Sequence, residues 1–266
     1  MDQSKTGLIV TGVARSGTTA LAELLNSHEM VCIGIERFKF QYLLANNYDR
    51  GLFTQDRYFD FRDDDTNLRP AVRPHWQHVY DQIENKWADA QIIGDKVPDL
   101  IPVLTDFLQA NPDFKSIVLL RNLKDTALSW QKRANKSSDR WPAGKGFGEA
   151  CKSWSEQMKI LHDIYRRKAH RSRILLKDYD EMYDNHQQTE RAVLTYHDLL
   201  PSQNFRDTLM KHVRFAQNAR KRKVPPAFVE IYKSIEKTDM RLLKKEARQS
   251  LYMLAGSAEG MGPDSP

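Results

Sequence analysis

Gly12-Val13-Ala14-Arg15-Ser16-Gly17-Thr18-Thr19 follows the apolar run Leu8-Ile9-Val10 and precedes the helix-like stretch Ala20-Leu21-Ala22-Glu23-Leu24-Leu25. A strand, a glycine loop and a helix in that order build a phosphate cradle. Glycine tolerates the tight turns, backbone N–H groups and the positive end of the helix dipole converge on one anion, and Thr18 and Thr19 add hydroxyl donors. The stretch predicts a phosphorylated ligand.

The glycine spacing satisfies the nucleotide-binding pattern G-x-x-x-x-G-K-[ST], but Thr18 stands in the lysine position and the cation has moved forward to Arg15. In nucleoside triphosphatases that lysine reaches the β and γ phosphates beside magnesium, so its absence argues against ordinary ATP or GTP hydrolysis. Two alternatives stay open on these residues: a nucleotide kinase or triphosphatase altered at the lysine, and a nucleotide-binding module that catalyses nothing.

The 266 residues suffice for one sizeable α/β domain, and no Pro/Gly/Ser-rich linker divides them. The expected layout is one domain over residues 1–255 and a small, polar, disordered tail over 256–266. Cys32 and Cys151 are the only cysteines, lie far apart and follow no secretory leader, so a reducing compartment is favoured over a disulfide framework. No apolar run approaches the roughly 18 residues of a membrane span, which predicts a cytoplasmic protein without an integral membrane segment. The net charge of +6 suits an anionic ligand without choosing among nucleotide, acidic glycan and nucleic acid. Its densest cluster, Arg220-Lys221-Arg222-Lys223, reads as a solvated face, and no aromatic-interleaved motif accompanies it, so no nucleic-acid partner is expected.

Further short apolar runs, Ile92-Ile93, Lys115 to Leu120 and Ile174 to Leu176, read as strands buried on both faces. Helical patterns cover Leu100–Ala110, Lys124–Lys132, Gly148–Arg167, Thr189–Leu199, Phe205–Gln217 and Pro226–Leu254. Their alternation predicts a mainly parallel sheet flanked by helices. Residues 46–91 lack clean periodicity and are rich in aromatic and charged side chains. They read as an insertion rather than core, suited to reading an acceptor, with a structural cap as the competing view. His75 and His78 lack the Cys or carboxylate spacing of a metal site and read as loop residues, while Trp130 and Trp154 read as core rather than as adenine stackers.

Four segments in this order resemble sulfotransferases that use 3′-phosphoadenosine 5′-phosphosulfate (PAPS), most closely the carbohydrate-modifying, heparan-type branch. Gly12 to Thr19 is similar to the 5′-phosphosulfate loop, with Arg15 where many members carry lysine. Ile35-Glu36-Arg37-Phe38-Lys39-Phe40, followed by Tyr48-Asp49-Arg50-Gly51-Leu52, is similar to the glutamate-plus-aromatics segment. Gly94-Asp95-Lys96-Val97-Pro98 is similar to the lysine-proline motif. Leu120 to Ser129 resembles the 3′-phosphate signature, with Leu123 in place of a usual proline. A looser fifth match, Leu175 to Met182, resembles a structural Tyr-Glu-Asp-Leu segment of the family.

The resemblance implies a three-layer P-loop NTPase-like fold and a sulfuryl transfer from PAPS to a hydroxyl or amine of a carbohydrate or other small acceptor. It places Glu36 as catalytic base, a role for which burial would have to raise its pKa toward neutrality, whereas the residues alone read as a surface carboxylate paired with Arg37 or Lys39. Lys96 and Arg15 would stabilise charge on the bridging oxygen in the place of a metal, so no metal is expected. Arg15, Ser16, Gly17, Thr18 and Thr19 would hold the 5′ end of the donor, and Arg121 with Ser129 its 3′-phosphate. The basic run before Pro225-Pro226 would either close over the donor or stay solvated. The acceptor's identity, O- versus N-sulfation and the oligomeric state are not written in these residues.

Overall fold

The computed structural model describes residues 5–138, 141–219 and 222–259. Its centre is a sheet of five strands, β1 (Thr6–Thr11), β2 (Val31–Ile35), β3 (Ile92–Lys96), β4 (Phe114–Leu120) and β5 (Ile174–Asp178), in the order β2-β3-β1-β4-β5. Every pairing is parallel. The α/β architecture read from the alternation is therefore the observed one. Strand β2 escapes the sequence reading, although Val31-Cys32-Ile33-Gly34-Ile35 is a buried apolar run.

Alternate residues of each strand feed two cores, as the period of two requires. Ile9, Ile93, Val118 and Leu176 enter one, Leu8, Ile33, Ile117 and Leu175 the other. The helices between strands are α1 (Thr18–Asn26), α2 (Lys39–Leu43), α3 (Gln55–Phe59), α4 (Gln77–Lys86), α5 (Leu104–Ala110), α6 (Leu123–Ala134) and α7 (Phe147–Arg166). After β5 come α8 (Tyr179–Asp184), α9 (His186–Tyr196), α10 (Gln203–Ala219), α11 (Val229–Ser234) and α12 (Thr238–Glu259). The second core lies under α1 and α10, the first under α5, α6, α7 and the start of α12.

Three differences from the sequence pattern have local causes. Pro102 cannot donate into a regular helix, and the turn Ile101–Val103 is a 3-10 turn before α5 begins. The segment read as one helix over Pro226–Leu254 is broken at Ile235, which is extended, and the Glu236 carboxylate then accepts from the backbone N–H groups of Lys237 and Thr238 to start α12. That helix continues to Glu259, past the expected start of the tail at residue 256, and residues 260–266 lie outside the described ones.

The reading of residues 46–91 as insertion rather than core is corrected. Phe53, Tyr58, Tyr80, Ile83 and Trp87 are buried and belong to the first core. Tyr58 lies edge-on to Phe38 and donates to the carbonyl of Gly94, so the segment is packed onto β3. Its helices are too short, or too weakly apolar, to show a period in sequence. Among the described residues no helix is long and apolar enough to cross a membrane.

Candidate active site

At the carboxyl end of β1 the glycine loop turns into α1. Gly12 sits at φ +154 and Gly17 at φ +105; a Cβ on Gly12 would lie 2.5 Å from the carbonyl oxygen of Leu119, and one on Gly17 2.6 Å from the ring of Tyr179. Both positions therefore exclude side chains. Thr18 is buried in the first turn of α1 and Thr19 is exposed. Asp99 fixes the loop from outside: its Oδ1 accepts from Ala14 N at 2.8 Å and from Gln157 Nε2 at 2.7 Å, and its own N–H donates to Gly12 O at 2.9 Å. Gly12→Ala is expected to weaken binding of adenosine 3′,5′-bisphosphate at least about tenfold while destabilising the fold by roughly 1–3 kcal/mol of backbone strain. Calorimetry and thermal unfolding measure the two effects.

Arg15, Ser129 and Arg121, far apart in sequence, meet here. Arg15 Nε donates to Ser129 Oγ at 3.3 Å, and Arg121 Nη1 donates to Arg15 O at 2.9 Å while its guanidinium lies 4.2 Å from the centre of the Tyr179 ring. Among the described residues Ser16 Oγ and Arg121 Nε, both buried, have no hydrogen-bond partner. Orphaned donors cost about 1–3 kcal/mol each unless something accepts from them. Glycines without room for a Cβ, unsatisfied donors and an arginine together fit a phosphate-bearing ligand.

Glu36 and Lys96 form the second cluster. Lys96 pairs in register with Val10 at the end of β3, two residues before the cradle begins, and its carbonyl accepts from Glu36 N at 2.8 Å. The ammonium of Lys96, almost wholly buried, lies 3.0 Å from Glu36 Oε1, and Lys39 lies 2.9 Å from Oε2. Burial alone would raise the Glu36 carboxyl; the charges of Lys96 and Lys39 outweigh it and hold the group below its ordinary value. Burial therefore does not lift Glu36 toward neutrality, because two cations share one carboxylate.

The loop carrying Glu36 is held by carboxylates the sequence reading passed over. Asp95 accepts from the backbone N–H groups of Arg37 and Phe38 at 2.9 and 2.8 Å, and burial pushes its own carboxyl up to about 6. Arg37, fully buried, donates to Asp65 Oδ2 at 2.7 Å and to the carbonyls of Tyr58 and Asp60. Of six non-glycine residues at positive φ among those described, Arg15, Glu36 and Asp99 line this one site, which is where backbone strain is retained when geometry matters more than stability.

Beside the first turn of α1 lies a cavity of about 420 Å³ between α1, α8 and α10, lined by Ala20, Tyr179, Tyr183, His212 and Phe215 among others. Tyr179 faces both Gly17 and Arg121, so this cavity adjoins the cradle. Trp130 and Trp154 are core residues, as read: their indole N–H groups bond Ala14 O and Arg121 O. His75 and His78 are exposed, and among the described residues no group of three or more His, Cys, Asp and Glu is placed to hold a metal ion. In the basic run, Arg222 and Lys223 are exposed, whereas residues 220 and 221 lie outside the described ones.

The fold recurs among known proteins. The profile described as the sulfotransferase family matches residues 7–200. No curated protein sequence matches. Among solved structures, the chain is similar to the sulfotransferase domain from the curacin biosynthetic pathway, at 14% identity over 92% of this chain and 98% of that one, TM-score 0.51. It is also similar to a sulfotransferase from Alicyclobacillus acidocaldarius, at 13% identity over 92% and 96%, TM-score 0.51. Mouse sulfotransferase SULT7A1 complexed with PAP gives 13% identity over 92% and 89%, TM-score 0.50. At these identities the likeness establishes a shared fold.

Proposed function

The chain belongs to the sulfotransferase family, and on that premise we propose that it transfers a sulfuryl group from PAPS to a hydroxyl or amine of a carbohydrate or other small acceptor, with Glu36 as base. The observation that carries the reading is the position of Glu36 and Lys96 at the lip of the glycine cradle, with Arg15, Ser129 and Arg121 gathered at the cradle itself.

In this reading the cradle from Arg15 to Thr19 takes the 5′ phosphosulfate, and Arg121 with Ser129 takes the 3′-phosphate. The cavity at Ala20, Tyr179 and Phe215 receives the adenine. Glu36, already ionised between its lysines, accepts the proton of the acceptor as the acceptor's oxygen or nitrogen bonds to sulfur. The bond from sulfur to the bridging oxygen breaks, its electron pair stays on the phosphate, and adenosine 3′,5′-bisphosphate leaves. Lys96 and Arg15 neutralise the charge that grows on the bridging oxygen, so the demand on the protein is positioning and electrostatics rather than covalent work. As Lys96 turns toward that oxygen, Glu36 loses one of its two cations and becomes a stronger base.

Beyond the basic run, Phe228 stacks on Phe147 of α7 over the first core. The outer face of residues 46–91, anchored to the Glu36 loop through Arg37 and Asp65, is proposed to read the acceptor.

Lys39 sets the working pH. Removing a cation disfavours the carboxylate, so Lys39→Met raises the Glu36 pKa, and because the ionised form is the base, the acid limb of the rate profile moves to higher pH. An acid limb that stays in place in the variant contradicts Glu36 as the ionising group. The reading as a whole is tested by incubating the protein with radiolabelled PAPS in a chelator and a panel of sugars, phenols, lipid head groups and amines. Label passing to one acceptor class supports it. No transfer, with magnesium-dependent ATP turnover instead, overturns it.

A further inference from the structure

Between the first turn of α6, the middle of α7 and the α11–α12 junction lies a second cavity, open to solvent, of about 490 Å³, a volume typical of small-molecule sites. Leu123, Trp154, Tyr232, Ile235 and Met240 give it an apolar, partly aromatic wall. Four cations also line it, against one carboxylate, Glu236. Their pairing decides what the cavity attracts. Lys244 is neutralised by Asp178 at 2.9 Å, and Arg241 is 3.6 Å from Glu236. Lys237 donates to the carbonyls of Tyr232 and Ile235 and, among the described residues, forms no ion pair with a carboxylate. Lys124 makes no ion pair among the described residues.

The start of α6 adds to this field. Asn122 is its N-cap residue but makes no side-chain cap; its amide donates to Asp180 and accepts from Lys244. The α6 N-terminus thus has no side-chain cap, and Asp125 in its first turn offsets part of the dipole without lining the cavity. None of the donor residues named above lines this space. Arg121 separates the two: its guanidinium lies on Tyr179 beside the cradle, while its carbonyl accepts from Trp154 at the cavity wall.

We propose that this cavity is a second binding site, distinct from the donor and acceptor sites, for an organic anion of small-molecule size with a flat apolar body. The apolar wall removes the body from water, and the unpaired ammonium groups with the α6 N-terminus receive the anionic head. The proposal does not rest on the sulfuryl-transfer reading, since it uses neither Glu36 nor the cradle.

The test is a calorimetric titration of the full chain with naphthalene-2-sulfonate, in buffer and again with saturating adenosine 3′,5′-bisphosphate. One-site binding retained with the bisphosphate present, and quenching of tryptophan fluorescence, is the expected result. Lys124→Glu and Arg241→Glu should each weaken it about tenfold, equivalent to roughly 1.4 kcal/mol, and Glu36→Gln should leave it unchanged. Where a charge reversal fails to fold, Lys124→Gln and Arg241→Gln replace it, with a smaller loss in the same direction. No saturable binding, binding indifferent to these substitutions, displacement by the bisphosphate, or loss in Glu36→Gln each overturns the proposal. Failure of the bisphosphate itself to bind would count against the donor reading alone.

Discussion

Glu36→Gln is expected to lower the rate of sulfuryl transfer by about two to four orders of magnitude, the usual worth of a positioned general base, with the affinity for adenosine 3′,5′-bisphosphate unchanged. Glutamine keeps the volume and one acceptor oxygen of the side chain, so one of the two lysines keeps an acceptor, and Asp95 still holds the following backbone N–H groups of the loop. Glutamine cannot take a proton. Transfer and donor binding should therefore separate cleanly in this variant. Full activity would remove Glu36 from the chemistry, and loss of bisphosphate binding would mean that the residue holds the cradle together. Lys96→Met gives a different pattern, since that side chain is both the partner of Glu36 and the proposed stabiliser of the bridging oxygen.

Asp65→Ala should be the most destabilising single change near the site. Asp65 is buried between two guanidiniums, accepting from Arg37 Nη1 at 2.7 Å and from both terminal nitrogens of Arg57. Arg37 lies with its guanidinium carbon 4.3 and 4.2 Å from the ring centres of Phe38 and Phe61, and Asp65 is the carboxylate to which that guanidinium donates. Leaving one member of a buried pair uncompensated costs about 3–5 kcal/mol, which in a chain of this size lowers the unfolding midpoint by roughly 10 °C. Replacing both partners, Arg37→Met with Asp65→Leu, should recover part of the loss, because the unpaired buried charge is gone. A midpoint for Asp65→Ala within a degree or two of the parent would contradict the assignment. Because Arg37 follows Glu36 directly, activity should fall further than stability alone explains.

The cradle was legible because its chemistry is local: two glycines with no room for a side chain, one cation and one helix start lie within eight residues. Four of the five strands were legible for a similar reason, being apolar runs with polar ends. The rest depended on contacts the chain order hides. Strand β2 was passed over because Gly34 interrupts its apolar run just before the Glu36 segment, and a Cβ at Gly34 would lie within 2.6 Å of the hydroxyl of Tyr58. The aromatic residues of 46–91 looked unpatterned because short helices deliver one or two side chains each to the core. A carboxylate's neighbours are harder to see: Lys39, three residues after Glu36, could be weighed as its partner from the sequence, but its sharing of that carboxylate with Lys96, and the supports Asp95 and Asp99, follow from the fold.

The central claim is that the cradle and Arg121 together bind a 3′-phosphorylated adenosine nucleotide. Calorimetric titration with adenosine 3′,5′-bisphosphate, and with ADP and ATP in parallel, each with and without magnesium, tests it directly. The account predicts binding of the bisphosphate in preference to ADP and ATP, indifferent to magnesium and lost in Arg121→Ala. Preference for ATP with magnesium, or an affinity for the bisphosphate that survives Arg121→Ala, would contradict it.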